Sequence, residues 1–137
     1  MRSAIVPPAA LRQGIEQFNQ QEFYACHDTL EALWIDAPEP ERRFYQGILQ
    51  IAVGCYHLSN QNWRGAVLSL GEGCQRLSDY APAHAGVNVD RLLDASVELL
   101  ERLHADAPVG TDAVVRQFSM PGDVALPRIV CVEEAAS

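Results

Sequence analysis

Between Arg43 and Arg64 lie twenty consecutive residues, Phe44 to Trp63, that carry no formal charge. In a chain of 137 residues with a net charge of −8, such a run belongs where other segments enclose it. Read at 3.6 residues per turn, Ile48, Ile51, Cys55 and Leu58 point one way and Leu49, Ala52 and Tyr56 a second, while Gly47 and Gly54 share a third. Only a narrow sector is polar. With Gln46 at zero and 100° per residue, Arg43 falls at about 60°, Gln50 at about 40°, His57 at about 20° and Asn60 at about −40°. A central helix with one polar sector implies an internal polar cleft.

Helical periodicity continues on either side of this run. Pro7 and Pro8 suit a first helical turn, and Leu11, Ile15 and Phe18 form the buried side of a short helix. Asn19, Gln20 and Gln21 interrupt the pattern. A second helix spans about Glu22 to Asp36, with Phe23, Leu30 and Trp34 as its stripe, until Pro38 and Pro40 stop it. His27 and Glu31 lie one turn apart on its edge, with Asp28 and Thr29 further toward water. The central helix starts near Pro40 and Glu41. A fourth follows with Trp63, Val67, Leu70, Cys74 and Leu77 on its stripe, and with Gly65, Gly71 and Gly73 inside it as marks of close helix contact. Residues 81–87 form a loop, and Asn88 caps a fifth helix to about His104 with a seam of Val89, Leu93, Ser96, Leu100 and Leu103. An offset of 40 pairs Phe18 with Leu58, Phe23 with Trp63 and Leu30 with Leu70, a packing resemblance between two hairpins.

After His104 the periodicity disappears among Pro108, Gly110, Pro121, Gly122 and Pro127. Leu126 to Val132 is apolar and partly β-branched, with no evident partner strand, and Glu133 to Ser137 form a frayed end. The expected architecture is all-α: a compact bundle of about five helices over residues 1–105, with an extended C-terminal tail, 106–137, lying on it.

Ten basic residues against eighteen acidic ones, with no local basic cluster, exclude nucleic acid and membrane surfaces as expected partners. Met1 to Pro8 has one Arg and no apolar run long enough for a signal peptide, and the uncharged run is too polar to span lipid. The expectation is a soluble, cytoplasmic protein. Cys26, Cys55, Cys74 and Cys131 form no Cys-x-x-Cys pair and read as reduced thiols, the first three on apolar helix faces. The sequence contains no nucleotide-binding glycine loop and no nucleophile elbow. Glu101 and His104 give one Glu-x-x-His where a di-iron bundle needs two. Trp34, Trp63 and Tyr56 read as core, and Asp90, Asp94, Glu98 and Glu101 as a solvated face.

The ordered combination Phe18-Asn19, Phe23 and His27-Asp28-Thr29-Leu30-Glu31-Ala32-Leu33-Trp34, then Arg43-Phe44-Tyr45-Gln46-Gly47-Ile48-Leu49-Gln50-Ile51-Ala52, His57 and Asn62-Trp63-Arg64-Gly65-Ala66, resembles the signature of the family DUF309. The resemblance covers about residues 14–80. It departs at His27-Asp28, where the family usually has His-Glu. It implies a small helical bundle and no established activity.

The candidate chemistry therefore rests on the polar residues themselves. If helices two and three are antiparallel neighbours, His27 and Glu31 can face the sector of Arg43, Gln46, Gln50 and His57. On that register Glu31 lies opposite Gln46 or Ile48 and His27 opposite Gln50, while His57 lies roughly 10 Å farther along. Three readings follow. One is a structural network in which Glu31 pairs with Arg43 and His27 with Gln50. Another is a divalent zinc or iron site with His27, Glu31 and His57 as ligands. The third is a small-molecule pocket, enzymatic if His27 or Glu31 acts as catalytic base, with Arg43, Gln46, Gln50 and His57 as binding residues. The rival to any such site is a non-enzymatic helical interaction module or homo-oligomer.

Overall fold

The computed structural model describes residues 7–107 and 125–132. Five helices account for most of that chain: α1 (Ala9–Asn19), α2 (Phe23–Asp36), α3 (Glu41–Ser59), α4 (Trp63–Leu77) and α5 (Val89–Ala105). A single 3-10 turn, Ser78–Tyr80, precedes a two-residue hairpin of β1 (Ala83–His84) and β2 (Val87–Asn88). The fold is all-α apart from that hairpin.

Most of the uncharged run, Phe44 to Ser59, lies in α3, which packs chiefly against α4 and α2. Phe44, Ile48, Ile51, Ala52, Cys55 and Leu58 are buried on it, together with Leu30 from α2 and Leu70 and Leu77 from α4. Each Phe, Ile or Leu side chain so removed from water contributes roughly 1.5–3 kcal/mol. Close approach between α3 and α4 is set by glycine. A Cβ on Gly54 would lie 2.7 Å from Leu70 Cγ, and one on Gly73 2.9 Å from the Gly47 carbonyl oxygen. Gly71 does not share this role, since a Cβ there would meet nothing within 4 Å.

The offset of 40 is more than coincident periodicity. The turns joining α1 to α2 and α3 to α4 each contain a positive-φ residue, Gln21 at 64° and Gln61 at 61°. Each closes with the same backbone bonds, Glu22 N–H to Gln17 O and Asn62 N–H to His57 O. Gly14 meets Leu30 as Gly54 meets Leu70, so one helical-hairpin design occurs twice.

Asn88 caps α5 as its sequence suggests, accepting from Arg91 N–H at 3.0 Å. The seam of α5 is shifted from expectation: Leu92 and Leu99 are fully enclosed, while Leu93 and Leu100 pack at its margin. The apolar segment near the C-terminus does find a backbone partner. Val87 bridges Cys131, with Asn88 N–H donating to Val130 O and Val132 N–H to Gly86 O, both at 2.8 Å. Asn19 anchors the same segment from α1, donating to Ile129 O at 2.9 Å and accepting from Ile129 N–H at 2.8 Å. Ile129 is thereby buried. The expectations for Pro108 to Gly122, for Glu133 to Ser137 and for Met1 to Val6 lie outside the described residues. Among the described residues, no helix is long and apolar enough to cross a membrane.

Candidate functional site

The antiparallel pairing of α2 and α3 brings His27, Glu31, Gln46, Gln50 and His57 to a common surface that Arg43 does not join, and the cleft is an open groove, not an internal one. Two hollows run along it. One, of about 190 Å³, is lined by Tyr24, His27, Val53, Tyr56 and His57. The other, of about 140 Å³, is lined by Glu31, Trp34, Gln46, Leu49 and Gln50. His57 lines the same hollow as His27, so the two imidazoles share one site although they come from different helices. Tyr56 was expected in the core, but it is 38% exposed and packs its ring 5.5 Å from that of Tyr24, itself 61% exposed.

His27 Nδ1 lies 3.3 Å from Asp28 Oδ1, and the imidazole stacks on Tyr24 at 6.0 Å. One ligand atom each from His27, Asp28 and Glu31 fall within 4.8 Å of one another. Asp28 and Glu31 are exposed and His27 is half-buried. This is the set among the described residues that can hold a metal. It replaces His57 of the expected triad with Asp28, which the helical wheel had assigned to water. A His–Asp neighbour pair escapes periodicity arguments because residues one apart diverge by 100°, and only the rotamers bring their tips together.

His57 is committed elsewhere. Asn62 Oδ1 accepts the Gly65 N–H at 3.0 Å and so caps α4, while Asn62 Nδ2 lies 3.3 Å from His57 Nδ1. A Cβ on Gly65 would lie 2.9 Å from the His57 ring.

The expected structural network is corrected as well. Arg43 reaches Asp79, not Glu31, with Nη2 to Oδ2 at 3.4 Å. Gln50 turns toward α4, accepting from Arg76 Nη1 at 2.8 Å and donating to Glu72 Oε1 at 3.0 Å. The signal missed was on α4, whose polar side presents Glu72 and Arg76 at (i, i+4) to the Gln50 amide. Glu31 consequently has no hydrogen bond or ion pair among the described residues. Beneath the groove the core is apolar enough to push the Cys26 and Cys55 thiols up to about 12 by burial, the second also feeling the first. These two are structural.

Residues 11–68 match DUF309, a domain of unknown function. The DUF309 stretch contains Tyr24, His27, Asp28, Glu31, Gln46, Gln50, Tyr56, His57 and Asn62, but ends before Glu72 and Arg76. The uncharacterised protein YpuF of Bacillus subtilis (strain 168) is 28% identical over 100 residues, a match covering 71% of this chain and 58% of that protein. The chain thus spans less than two thirds of the length of that relative.

A larger hollow of about 650 Å³ lies between α1 and the C-terminal segment, lined by Arg12, Glu16, Asn19, Arg128 and Cys131 among others. Its size does not make it the better site. Arg12 donates to Pro7 O at 3.1 Å and Arg128 to Asn19 O at 3.3 Å, so both cations fasten backbone. The α2–α3 groove instead gathers two imidazoles and two carboxylates.

Proposed function

We propose that this protein is a small-ligand-binding helical domain whose α2–α3 groove combines a divalent-cation site with an aromatic shelf. The observation that carries the reading is the convergence of ligand atoms from His27, Asp28 and Glu31 within 4.8 Å, at the rim of a hollow lined by Tyr24, Val53, Tyr56 and His57. One imidazole and two carboxylates suit zinc or another first-row divalent ion. Three protein ligands leave coordination positions open, and a molecule bound there lies its apolar body against the tyrosines. An ion so held acts as a Lewis acid, which makes a metal-assisted enzymatic role the natural extension of binding. A cytoplasmic setting belongs to the same proposal, because the free thiols of Cys26 and Cys55, which are buried, and of Cys74, which is half-buried, suit a reducing compartment. The net charge of −8 disfavours nucleic acid and anionic membranes as partners.

The test is calorimetric titration of the purified protein with Zn²⁺ and Mn²⁺. One ion per chain should bind, with affinity falling at least about tenfold in His27→Ala and in Glu31→Gln. Because Glu31 is exposed, Glu31→Gln should leave the melting temperature unchanged, and binding unaltered in both variants would end the metal reading.

A second reading is favoured by one observation, the exposure of Tyr24 at 61% and Ile35 at 58% on the same helix. On this view α2 docks a protein partner and the polar residues serve as its rim. Sedimentation of the native chain discriminates: Tyr24→Ser with Ile35→Ser should dissolve any self-association, and should leave a metal site intact.

A further inference from the structure

The two imidazoles of the groove are prepared in opposite senses by their neighbours. Asn62 has one side-chain acceptor, Oδ1, and it is occupied by the Gly65 N–H at 3.0 Å. The group it turns toward His57 is therefore the NH₂, which only donates. His57 Nδ1, at 3.3 Å, has to accept, so it carries the lone pair and the ring proton of neutral His57 resides on Nε2. At His27 the logic is reversed. Asp28 carboxylate only accepts, so Nδ1, at 3.3 Å, carries the proton and Nε2 carries the lone pair. Neither Nε2 has a protein partner among the described residues, and both rings line the same hollow.

This decides which histidine can bind metal. A ligating imidazole normally donates its second N–H to an acceptor, whereas His57 Nδ1 accepts at that position. For His57 to ligate through Nε2, the Asn62 amide would have to turn over and abandon the α4 cap. We propose that His57 is the hydrogen-bond donor of the groove and not a metal ligand. We infer that the occupant is a small flat molecule bearing a carbonyl-type oxygen, which accepts from His57 Nε2–H while its ring lies on Tyr24 and Tyr56. A hollow of about 190 Å³ has the volume of roughly six waters, enough for one ring with one polar substituent. Asn62 is then a positioning residue, setting the tautomer while capping α4. This inference rests on the reading that the groove holds a small ligand.

The deciding variant is Asn62→Asp. Aspartate keeps the cap, since a carboxylate oxygen still accepts the Gly65 N–H, but it presents an acceptor to His57 in place of a donor. Long-range ¹⁵N–¹H spectra of the imidazole rings should show the Nε2–H tautomer for His57 and the Nδ1–H tautomer for His27 in the native chain. Asn62→Asp should move His57 alone to Nδ1–H. Benzamide, which offers a carbonyl acceptor, should bind the native groove and shift both His57 and Tyr56 signals, whereas benzylamine, which lacks that oxygen, should bind at least tenfold more weakly. Asn62→Asp should lower benzamide affinity at least tenfold and raise Zn²⁺ affinity by a similar factor, with an unchanged melting temperature. His57→Gln, which retains an N–H donor, should preserve more benzamide binding than His57→Leu. A native His57 with its proton on Nδ1, or benzamide binding equally to native protein and His57→Leu, overturns the donor assignment while leaving the groove reading standing. Failure of benzamide and Zn²⁺ alike to bind, with the tautomers as assigned, overturns the groove reading and the ligand class together.

Discussion

Asn62 illustrates how one short side chain ties fold to chemistry. Its oxygen satisfies one of the orphan N–H groups of α4, that of Gly65, while its nitrogen fixes His57, so a single amide serves both the cap and the tautomer. Glycine shows the complementary case, in which the missing side chain matters. At Gly54 an added methyl would lie 2.7 Å from Leu70 Cγ and 3.1 Å from Leu70 N, and the backbone atom cannot swing away. Gly54→Ala should therefore cost about 1–3 kcal/mol through overpacking. Gly71 has open space and a helical neighbourhood, so Gly71→Ala should stabilise by up to about 1 kcal/mol through the lost freedom of the unfolded chain. Urea denaturation of both variants checks the pair, and equal signs would mean that the α3–α4 approach is looser than described.

Among the elements, the repeated hairpin explains why the groove opens where it does. Each hairpin buries the side that its glycine brings close to a leucine, Gly14 to Leu30 and Gly54 to Leu70. The α2–α3 junction between the two hairpins is left with its outer side in solvent, and there Tyr24, Tyr56 and the histidines collect. The segment carrying Ile129 packs elsewhere, against α1 and the hairpin. Its attachment depends on Asn19, which supplies both a donor and an acceptor to Ile129, and on the strand-like pairing with Gly86 and Asn88. Asn19→Ala should release this segment with a loss of about 1–3 kcal/mol, because two backbone groups lose partners at once. Hydrogen exchange at Ile129 N–H should accelerate sharply in that variant, with exchange in α3 rising only in line with the global loss. Protection retained at Ile129 would show that the β-type pairing suffices.

For the molecule as a whole, the buried thiols set an alkaline limit. Burial raises Cys26 and Cys55 from 9.0 to about 12, and Cys74 to about 11. Above pH 9 the unfolded chain sheds these protons while the folded chain retains them, so the unfolded state binds fewer protons and stability falls with rising pH. The contribution is intact below pH 9 and is lost progressively toward about 12. The melting temperature should decline across that window, and Cys26→Ala with Cys55→Ala should make the decline shallower. An unchanged slope in the double variant would place the alkaline sensitivity in other groups.

Helix count, helix limits to within a residue or two, the central place of Phe44 to Trp63 and the cap at Asn88 were legible from periodicity and turn chemistry alone, because each depends on neighbours a few residues away. The candidate residues His27, Glu31, Gln46, Gln50 and His57 were legible as types, being polar groups on an otherwise apolar pair of helices. Their partners were not. Whether Gln50 turns to α2 or to α4 and whether Arg43 meets Glu31 or Asp79 are decided by helix packing, which couples residues far apart in the chain, and whether Asp28 joins His27 is decided by rotamer choice. Local periodicity determines which side of a helix is polar; only the packing of one helix against another determines what that polar side touches.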